Sequence, residues 1–106
     1  MEVLEYQTPD GSKPYVEWIR RLKDRRGVAV IRNRIKRVRL WDHFGDCSPV
    51  GSGVWEMRIF FGPGYRVYYL LDGERLTILL CGGDKDSQPK DVERAKSYAA
   101  DYWRLK

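Results

Sequence analysis

The sequence predicts an α+β domain, because its helical and strand-like patterns are segregated along the chain and do not alternate. Two stretches with helical spacing of apolar residues lie within residues 12–45. Three apolar runs separated by short turn signals follow within residues 54–85, and a last helical pattern closes the chain. The predicted order is βααβββα, with a mostly antiparallel sheet packed on the two N-terminal helices and a C-terminal helix at one side.

The composition limits the size of the protein and the classes of site it can hold. With 106 residues, 42% of them hydrophobic, we expect a single domain over residues 1–106. Two cysteines and one histidine lack metal-ligand spacing, so we expect no metal site and reduced cysteines that pack in the interior. No signal peptide and no apolar run near the roughly 20 residues of a membrane helix are found, which predicts a cytoplasmic protein without membrane contact.

The chain begins with a short strand-like run, which Pro9-Asp10-Gly11 ends as a turn. We expect this strand to pair at an edge of the sheet. A first helix is indicated from Ser12, with Pro14 at its first position, and should end by Arg26. Its apolar positions recur with helical spacing at Tyr15, Trp18, Ile19 and Leu22.

The second helix has an apolar stripe formed by Val28, Ile31, Ile35 and Val38. Gly45 is the expected C-cap, because glycine adopts the left-handed conformation that often ends a helix. Residues 45–53, with three glycines and a proline, are interpreted as a loop.

The other side of the second helix is strongly basic. Ten basic residues and one acid, Asp24, lie between Arg20 and Arg39, so few (i, i+4) ion pairs are available. The basic side is either a solvated helix surface or a surface that faces a polyanion or a protein partner. For the second case the candidate substrate-binding residues are Arg32, Lys36 and Arg39.

Turn signals at Gly62-Pro63-Gly64 and Asp72-Gly73 predict a three-stranded meander within residues 54–85. A three-residue first loop places Arg58 opposite Tyr68, and a two-residue second turn places Tyr69 opposite Leu76. Alternation then collects on one apolar face Trp55, Met57, Ile59, Phe61, Tyr65, Val67, Tyr69, Leu71, Leu76, Ile78 and Leu80. The face predicted to point away from the core collects Glu56, Arg58, Phe60, Arg66, Tyr68, Thr77, Leu79 and Cys81.

A Gly-Gly segment connects the last strand to a third helix, which is marked by Val92, Ala95, Ala99 and Tyr102. Lys85 lies in this connection, near a helix N-terminus that can attract anions. Arg58 and Arg66 share a sheet face, and paired arginines can bind a phosphodiester and stabilise the charge that develops during its cleavage. Taken singly, each residue also has a structural explanation: ion pairing or solvation for the arginines, and a flexible turn for the glycines.

Four segments together resemble the RelE/ParE toxin superfamily, and more narrowly its addiction-module killer proteins, also called HigB-like or phage Gp49-like toxins. They are Trp55-Glu56-Met57-Arg58, Phe61-Gly62-Pro63-Gly64-Tyr65-Arg66-Val67-Tyr68, Gly82-Gly83-Asp84-Lys85 and Asp91-Val92-Glu93-Arg94-Ala95-Lys96. The Gly-Tyr-Arg start of a strand occurs across the superfamily, whereas its combination with Phe-Gly-Pro and Gly-Gly-Asp-Lys is typical of this branch. The resemblance covers nearly the whole chain.

This resemblance implies the toxin of a type II toxin–antitoxin module, neutralised by a small antitoxin that usually carries a helix-turn-helix part. The better-known ribonuclease members cut messenger RNA on the ribosome with a basic site and no cofactor. Arg66 matches the arginine of Gly-Tyr-Arg, Arg58 stands where members carry a basic strand residue, and Lys85 matches a basic position in a variable loop. The C-terminal tyrosine or histidine that some members use as general base has no counterpart in this sequence.

The implied reaction is attack of a ribose 2′-hydroxyl on the adjacent phosphate, which gives a cyclic phosphate and a 5′-hydroxyl. Arg66 would stabilise the phosphate, Arg58 would assist, and Lys85 would bind RNA or protonate the leaving oxygen. Glu56 and Tyr68 are the two candidate proton acceptors. Two other classes stay open: a DNA gyrase inhibitor of the same fold, and a non-catalytic module that binds antitoxin or RNA.

Overall fold

The computed structural model describes residues 1–106 and contains three helices and five strands. In chain order these are β1 (Glu2–Glu5), α1 (Pro14–Arg21), α2 (Arg25–Trp41), β2 (Cys47–Gly51), β3 (Val54–Ile59), β4 (Tyr65–Asp72), β5 (Leu76–Asp84) and α3 (Gln88–Arg104). The sheet order is β1-β5-β4-β3-β2, with β1 parallel to β5 and every other pair antiparallel. The predicted α+β class and mostly antiparallel sheet are confirmed, with one strand added to the predicted order.

The boundary between the first two helices is set by Asp24. Helix α1 ends at Arg21, before the predicted Arg26, because Leu22 turns to an extended conformation. Asp24 then begins α2 as its N-cap, and its Oδ1 accepts a hydrogen bond from the Gly27 amide at 2.9 Å. The chain therefore starts a new helix where the sequence pattern suggested the last turn of the old one.

The C-terminal end of α2 differs from the prediction. The C-cap is Asp42, not Gly45: Asp42 adopts the left-handed conformation directly after the helix, with φ 54°, and its amide donates to the Val38 carbonyl at 3.0 Å. Aspartate tolerates this conformation better than most residues, because its short polar side chain can hydrogen-bond locally. The helix thus ends at Trp41, four residues before Gly45, and the predicted glycine C-cap is wrong.

The interpretation of residues 45–53 as a loop is also wrong, because Cys47–Gly51 forms the edge strand β2. Cys47 pairs with Met57, and Pro49 pairs with Trp55. The hairpin turn uses three consecutive positive φ angles at residues 51–53, and two of these residues are glycines. Proline is compatible with an edge strand, since its missing N–H leaves no bond unmade on the open side.

The register of β3 against β4 is shifted by two residues from the prediction. Arg58 lies opposite Arg66, not opposite Tyr68, because residues 60–64 form a five-residue loop. A shift by an even number leaves every side chain on its predicted face. Arg58 and Arg66 therefore share a face, as predicted.

The register of β4 against β5 is shifted by three residues and reverses the faces of β5. Residues 73–75 form a three-residue turn, which places Tyr69 opposite Leu79. A bulge between Tyr68 and Tyr69 then shifts the register by one more residue, so that Tyr68 lies opposite Cys81. Three residues assigned to the α1 side therefore lie on the other face or at its margin: Leu76, Ile78 and Leu80. Their predicted position is wrong because a register shift by an odd number of residues moves each side chain to the opposite face of the sheet.

Each face of the sheet carries its own buried cluster. The face covered by α1 and α2 buries Val3, Tyr15, Ile19, Ile31, Ile35, Val38, Met57, Ile59, Tyr65, Val67, Tyr69 and Leu79. The face covered by α3 buries Tyr6, Val54, Tyr68, Leu70, Ile78, Leu80, Cys81, Ala95 and Ala99. The prediction that this second face points away from the core is wrong, because the alanines of α3 let the helix approach it closely.

Both cysteines are free and contribute to packing. Cys81 is buried in the cluster under α3, and Cys47 packs against the cluster under α1 and α2. None of the three helices combines the length and the apolar character needed to cross a membrane.

Candidate functional site

Arg66, near the start of β4, is held by two groups on the α3 side of the sheet. Its Nη1 donates to the Gly64 carbonyl at 2.7 Å, and its Nε lies 3.9 Å from Glu56 Oε2. The side chain is only 12% exposed, and Nε is buried without a hydrogen-bond acceptor. Nη2 forms no hydrogen bond either. The guanidinium is thus fixed in place while part of its donor capacity is unused.

Glu56 is a buried carboxylate at the centre of the cluster. Its side chain is 4% exposed, and Oε2 accepts hydrogen bonds from Gln88 Nε2 at 2.7 Å and from the Tyr68 hydroxyl at 3.3 Å. Burying a carboxylate is costly unless it is paired and hydrogen-bonded, and Arg66 supplies the positive charge. The second oxygen, Oε1, accepts no hydrogen bond within the protein.

Tyr68 lies completely buried beneath Glu56. Burial is the main cause that raises the pKa of its hydroxyl above the ordinary value, and the negative charge of Glu56 raises it further. The hydroxyl therefore stays protonated at neutral pH and donates to Glu56.

Arg58 lies beside Arg66 on the neighbouring strand and is more accessible. Its Nη2 contacts Asp46 Oδ1 at 3.0 Å, its side chain is 37% exposed, and its buried Nε has no partner. Two like charges opposite each other on a sheet repel. Here each guanidinium has its own carboxylate, Asp46 for Arg58 and Glu56 for Arg66.

Lys85 lies next to the same glycine as Arg66. A Cβ added at Gly64 would lie 3.1 Å from Arg66 Nη1 and 3.7 Å from Lys85 Cβ. Lys85 is exposed and forms no ion pair. Its ammonium group is therefore the free positive charge at this end of the sheet.

The backbone amides of the connection before α3 donate to a carboxylate of the protein itself, that of Asp84. Asp84 Oδ1 accepts the amides of Asp86 at 2.9 Å and Ser87 at 3.1 Å. These two amides are not available to an external anion, contrary to what a helix N-terminus suggested.

The two glycines before Asp84 are strand residues with tight contacts, not the flexible turn that was one explanation of them. A Cβ at Gly82 would lie 2.2 Å from the Trp18 ring on the α1 side. A Cβ at Gly83 would lie 1.8 Å from Asp91 Oδ2 on the α3 side. Their missing side chains let α1 and the first turn of α3 approach the sheet, and this approach brings Gln88 within reach of Glu56.

The sequence reasoning missed two members of the site, Asp46 and Gln88. Asp46 lies in the segment interpreted as a loop, and Gln88 lies 32 positions from its partner Glu56. The only local sign of Gln88 is its place beside Pro89 at the start of a helix. No cluster of three side chains able to hold a metal ion is present in the chain.

The three predicted substrate-binding residues lie elsewhere. Arg32, Lys36 and Arg39 line a groove of about 360 Å³ with apolar walls from α1, α2 and the sheet. Arg39 also lies 3.9 Å from Glu5. This groove belongs to the face opposite Arg66, so the structure does not bring these residues together with the arginines of the strands.

A mostly antiparallel sheet between helices, with paired arginines on two adjacent strands, is consistent with the RelE-like class of toxin–antitoxin proteins. Residues 17–102 match the family described as Phage derived protein Gp49-like (DUF891), and the chain belongs to this family. The family lies within the RelE-like group and is associated with toxins of toxin–antitoxin modules, so an antitoxin partner is expected. The chain is also similar to an uncharacterised protein of Haemophilus influenzae, with 48% identity over 82 residues, which cover 77% of this chain and 82% of that protein.

Proposed function

We propose that the protein is the toxin of a type II toxin–antitoxin module and acts as a metal-independent endoribonuclease on messenger RNA at the ribosome. The observation that supports this most is the Arg66 guanidinium, which two protein groups hold in place while Nη2 lacks an acceptor. A phosphate oxygen would satisfy this donor, because guanidinium and phosphate geometries match. Cell growth and translation would stop in the cytoplasm until a small helix-turn-helix antitoxin binds the toxin.

In the proposed reaction the ribose 2′-oxygen attacks the adjacent phosphorus, and the bond from phosphorus to the 5′-oxygen breaks. Arg66 stabilises the negative charge that develops on the phosphate oxygens, and Arg58 supplies a second positive charge from the neighbouring strand. The products are a cyclic phosphate and a free 5′-hydroxyl.

Two proton transfers complete the reaction. Glu56 Oε1, which accepts no hydrogen bond in the protein, takes the proton of the 2′-hydroxyl, and the exposed Lys85 ammonium protonates the leaving 5′-oxygen. Tyr68 and Gln88 hold the other oxygen of Glu56 and so orient the carboxylate. Tyr68 is therefore assigned a positioning role and not the role of base.

The groove residues Arg32, Lys36 and Arg39 are proposed to hold RNA at a distance from the cleavage site. A basic surface that contacts phosphates adds affinity without sequence preference. Since the groove and the arginines of the strands lie on opposite faces, one RNA molecule would have to pass around the sheet to reach both.

The proposal is tested by inducing the protein without an antitoxin and mapping breaks in translated messages by primer extension. Arg66→Ala should lower cleavage about 100-fold or more, the cost typical of losing one preorganised donor to developing negative charge. Arg75→Ala is the matched control, since it removes an equal charge at the β4–β5 turn, about 20 Å along β4. Circular dichroism melting confirms that both variants are folded.

Three outcomes decide between the classes. A folded Arg66→Ala variant that cuts messages at the wild-type rate would show that the assignment is wrong. Intact messages together with gyrase-dependent DNA damage would identify a gyrase inhibitor. Unaffected growth on induction of the wild-type protein would identify a non-catalytic binding module.

A further inference from the structure

Phe60 is the most exposed large hydrophobic residue of the protein, with 83% of its surface open to solvent. Its neighbours in sequence behave differently: Ile59 is 2% exposed, and Phe61 is half-buried against the cluster under α1 and α2. The residues on both sides of Phe60 are thus buried or half-buried, whereas Phe60 itself is not. The exposed phenyl ring gains no hydrophobic stabilisation in the isolated protein.

The backbone that carries Phe60 is held in one conformation. The Phe61 amide donates to the Ile59 carbonyl at 2.9 Å, so Phe60 is the central residue of a tight turn. The remaining part of the loop is closed by a 3.0 Å bond from the Gly64 amide to the Phe61 carbonyl. The Tyr65 hydroxyl then donates to Asp24 Oδ2 at 2.7 Å and anchors the loop to α2. The backbone of this loop therefore loses little conformational freedom when a ligand binds the ring.

Basic residues lie at both ends of the loop that carries Phe60. Arg58 precedes it by two residues, roughly 7 Å along an extended chain, and the same loop ends at Arg66. Lys85 lies against Gly64 of this loop. Proteins that bind single-stranded nucleic acid combine exposed aromatic rings with positive charges that follow the backbone.

We propose that Phe60 is a base-stacking residue for the RNA substrate: its ring stacks on an unpaired base beside the phosphate held by Arg58 and Arg66. The proposal rests on the proposed ribonuclease function and adds to it a residue that positions the substrate. Stacking on a phenyl ring is tolerant of base identity, since every base has a π face. Phe60 thus contributes binding and alignment, and not a reacting group.

The test compares Phe60→Ala, Phe60→Trp and the control Trp103→Ala. Trp103 is also an exposed aromatic residue, but it lies at the far end of α3, about 22 Å from the first turn of that helix. Two quantities are measured with purified protein and ribosomes that hold a short oligonucleotide message: kcat/KM for cleavage of that message, and Kd for its 2′-O-methyl analogue, which cannot be cut. Phe60→Ala should lower kcat/KM and raise Kd by about 5- to 150-fold. Phe60→Trp should restore both, and Trp103→Ala should change neither.

A second measurement separates stacking from a change in folding. When single nucleotides of the oligonucleotide are made abasic in turn, one position should abolish the difference between the wild-type protein and Phe60→Ala. Equal kcat/KM and Kd for these two proteins on the intact RNA would overturn the inference and leave the ribonuclease function standing. Binding that depends on Phe60 without any cleavage would retain the stacking role and overturn the ribonuclease. Absence of both binding and cleavage would overturn both proposals.

Discussion

The two faces of the sheet bury similar kinds of apolar side chains but differ in the charges they hold. The cluster under α1 and α2 consists of twelve apolar or aromatic residues. The cluster under α3 adjoins two buried carboxylates, Glu56 and Asp91. An apolar interior stabilises a fold by removing hydrocarbon from water, whereas each buried carboxylate requires partners that offset its desolvation. The first face therefore stabilises the protein, and the second gives up part of that stabilisation to position Arg66.

The adjacent glycines of β5, Gly82 and Gly83, show the same difference between the two faces. Gly82 gives space to the Trp18 ring, which belongs to the apolar packing of α1. Gly83 gives space to Asp91 at the first turn of α3, next to the helix end that carries Gln88. Close packing serves stability on one side of the strand and the geometry of the carboxylate cluster on the other.

The largest expected effect tests the stabilising role of the α1/α2 face. Ile31 is completely buried there, and Ile31→Ala should lower the free energy of unfolding by about 2–5 kcal/mol, because it removes buried methylene groups and leaves a cavity. Urea denaturation measures this loss. Leu40→Ala, at an exposed position of the same helix, should change the value by less than about 0.5 kcal/mol. A loss below about 1 kcal/mol for Ile31→Ala would show that this face is not tightly packed.

The glycine pair provides the sharpest comparison between the faces. Gly82→Ala and Gly83→Ala both force a methyl group into occupied space, and each should cost about 1–3 kcal/mol of stability. Gly83→Ala should also reduce RNA cleavage per folded molecule, because the first turn of α3 must move and Gln88 then leaves Glu56. Cleavage by the folded Gly82→Ala variant should stay close to that of the wild-type protein. Equal losses of cleavage in the two variants would contradict the division between faces.

The smallest expected effect concerns Asp24, which joins α2 to the loop of the candidate site. The Gly27 amide is the main cause that lowers the pKa of Asp24, and the Tyr65 hydroxyl lowers it further. Because the folded pKa lies below the unfolded value of about 3.9, this stabilisation is present above pH 4 and is lost as the pH falls through the folded pKa. Asp24→Ala should therefore lower Tm at pH 7, and its difference from the wild-type Tm should shrink at pH 3.

The control for this titration is Asp86→Ala. The Asp86 carboxylate is exposed and accepts no hydrogen bond in the structure, so its removal should leave Tm almost unchanged at both pH values. A Tm difference for Asp24→Ala that stays constant from pH 7 to pH 3 would show that its ionised carboxylate does not cap α2.

Elements that depend on local spacing were predictable from the sequence. The apolar stripe from Val28 to Val38 and the turn at Gly62-Pro63-Gly64 each report contacts between residues close in the chain, so the three helices and the central strands were found. The edge strand Cys47–Gly51 was not found, because its hydrogen bonds come from β3 and its sequence carries no alternation. The faces of β5 depended on the turn at residues 73–75, which has three residues where Asp72-Gly73 had suggested two.

In the candidate site, too, the features set by local spacing were predictable, and those set by contacts between distant segments were not. That Arg58 and Arg66 share a sheet face followed from the two-residue period of a strand, which an even error in register does not disturb. The partners that hold them could not be predicted in this way. Asp46 reaches Arg58 from the segment before β2, and Gln88 reaches Glu56 only because α3 covers a face that was expected to be open.

The sequence by itself determined the α+β class, the positions of the helices and the presence of two arginines on one sheet face, because these depend on local periodicity and turns. Only the tertiary structure decided which carboxylate each arginine contacts and that Tyr68 is a buried donor. These contacts require elements far apart in the chain to meet, as where α3 packs against Gly83 and brings Gln88 to Glu56. Close packing of this kind depends on the whole fold and leaves no periodic trace in the sequence.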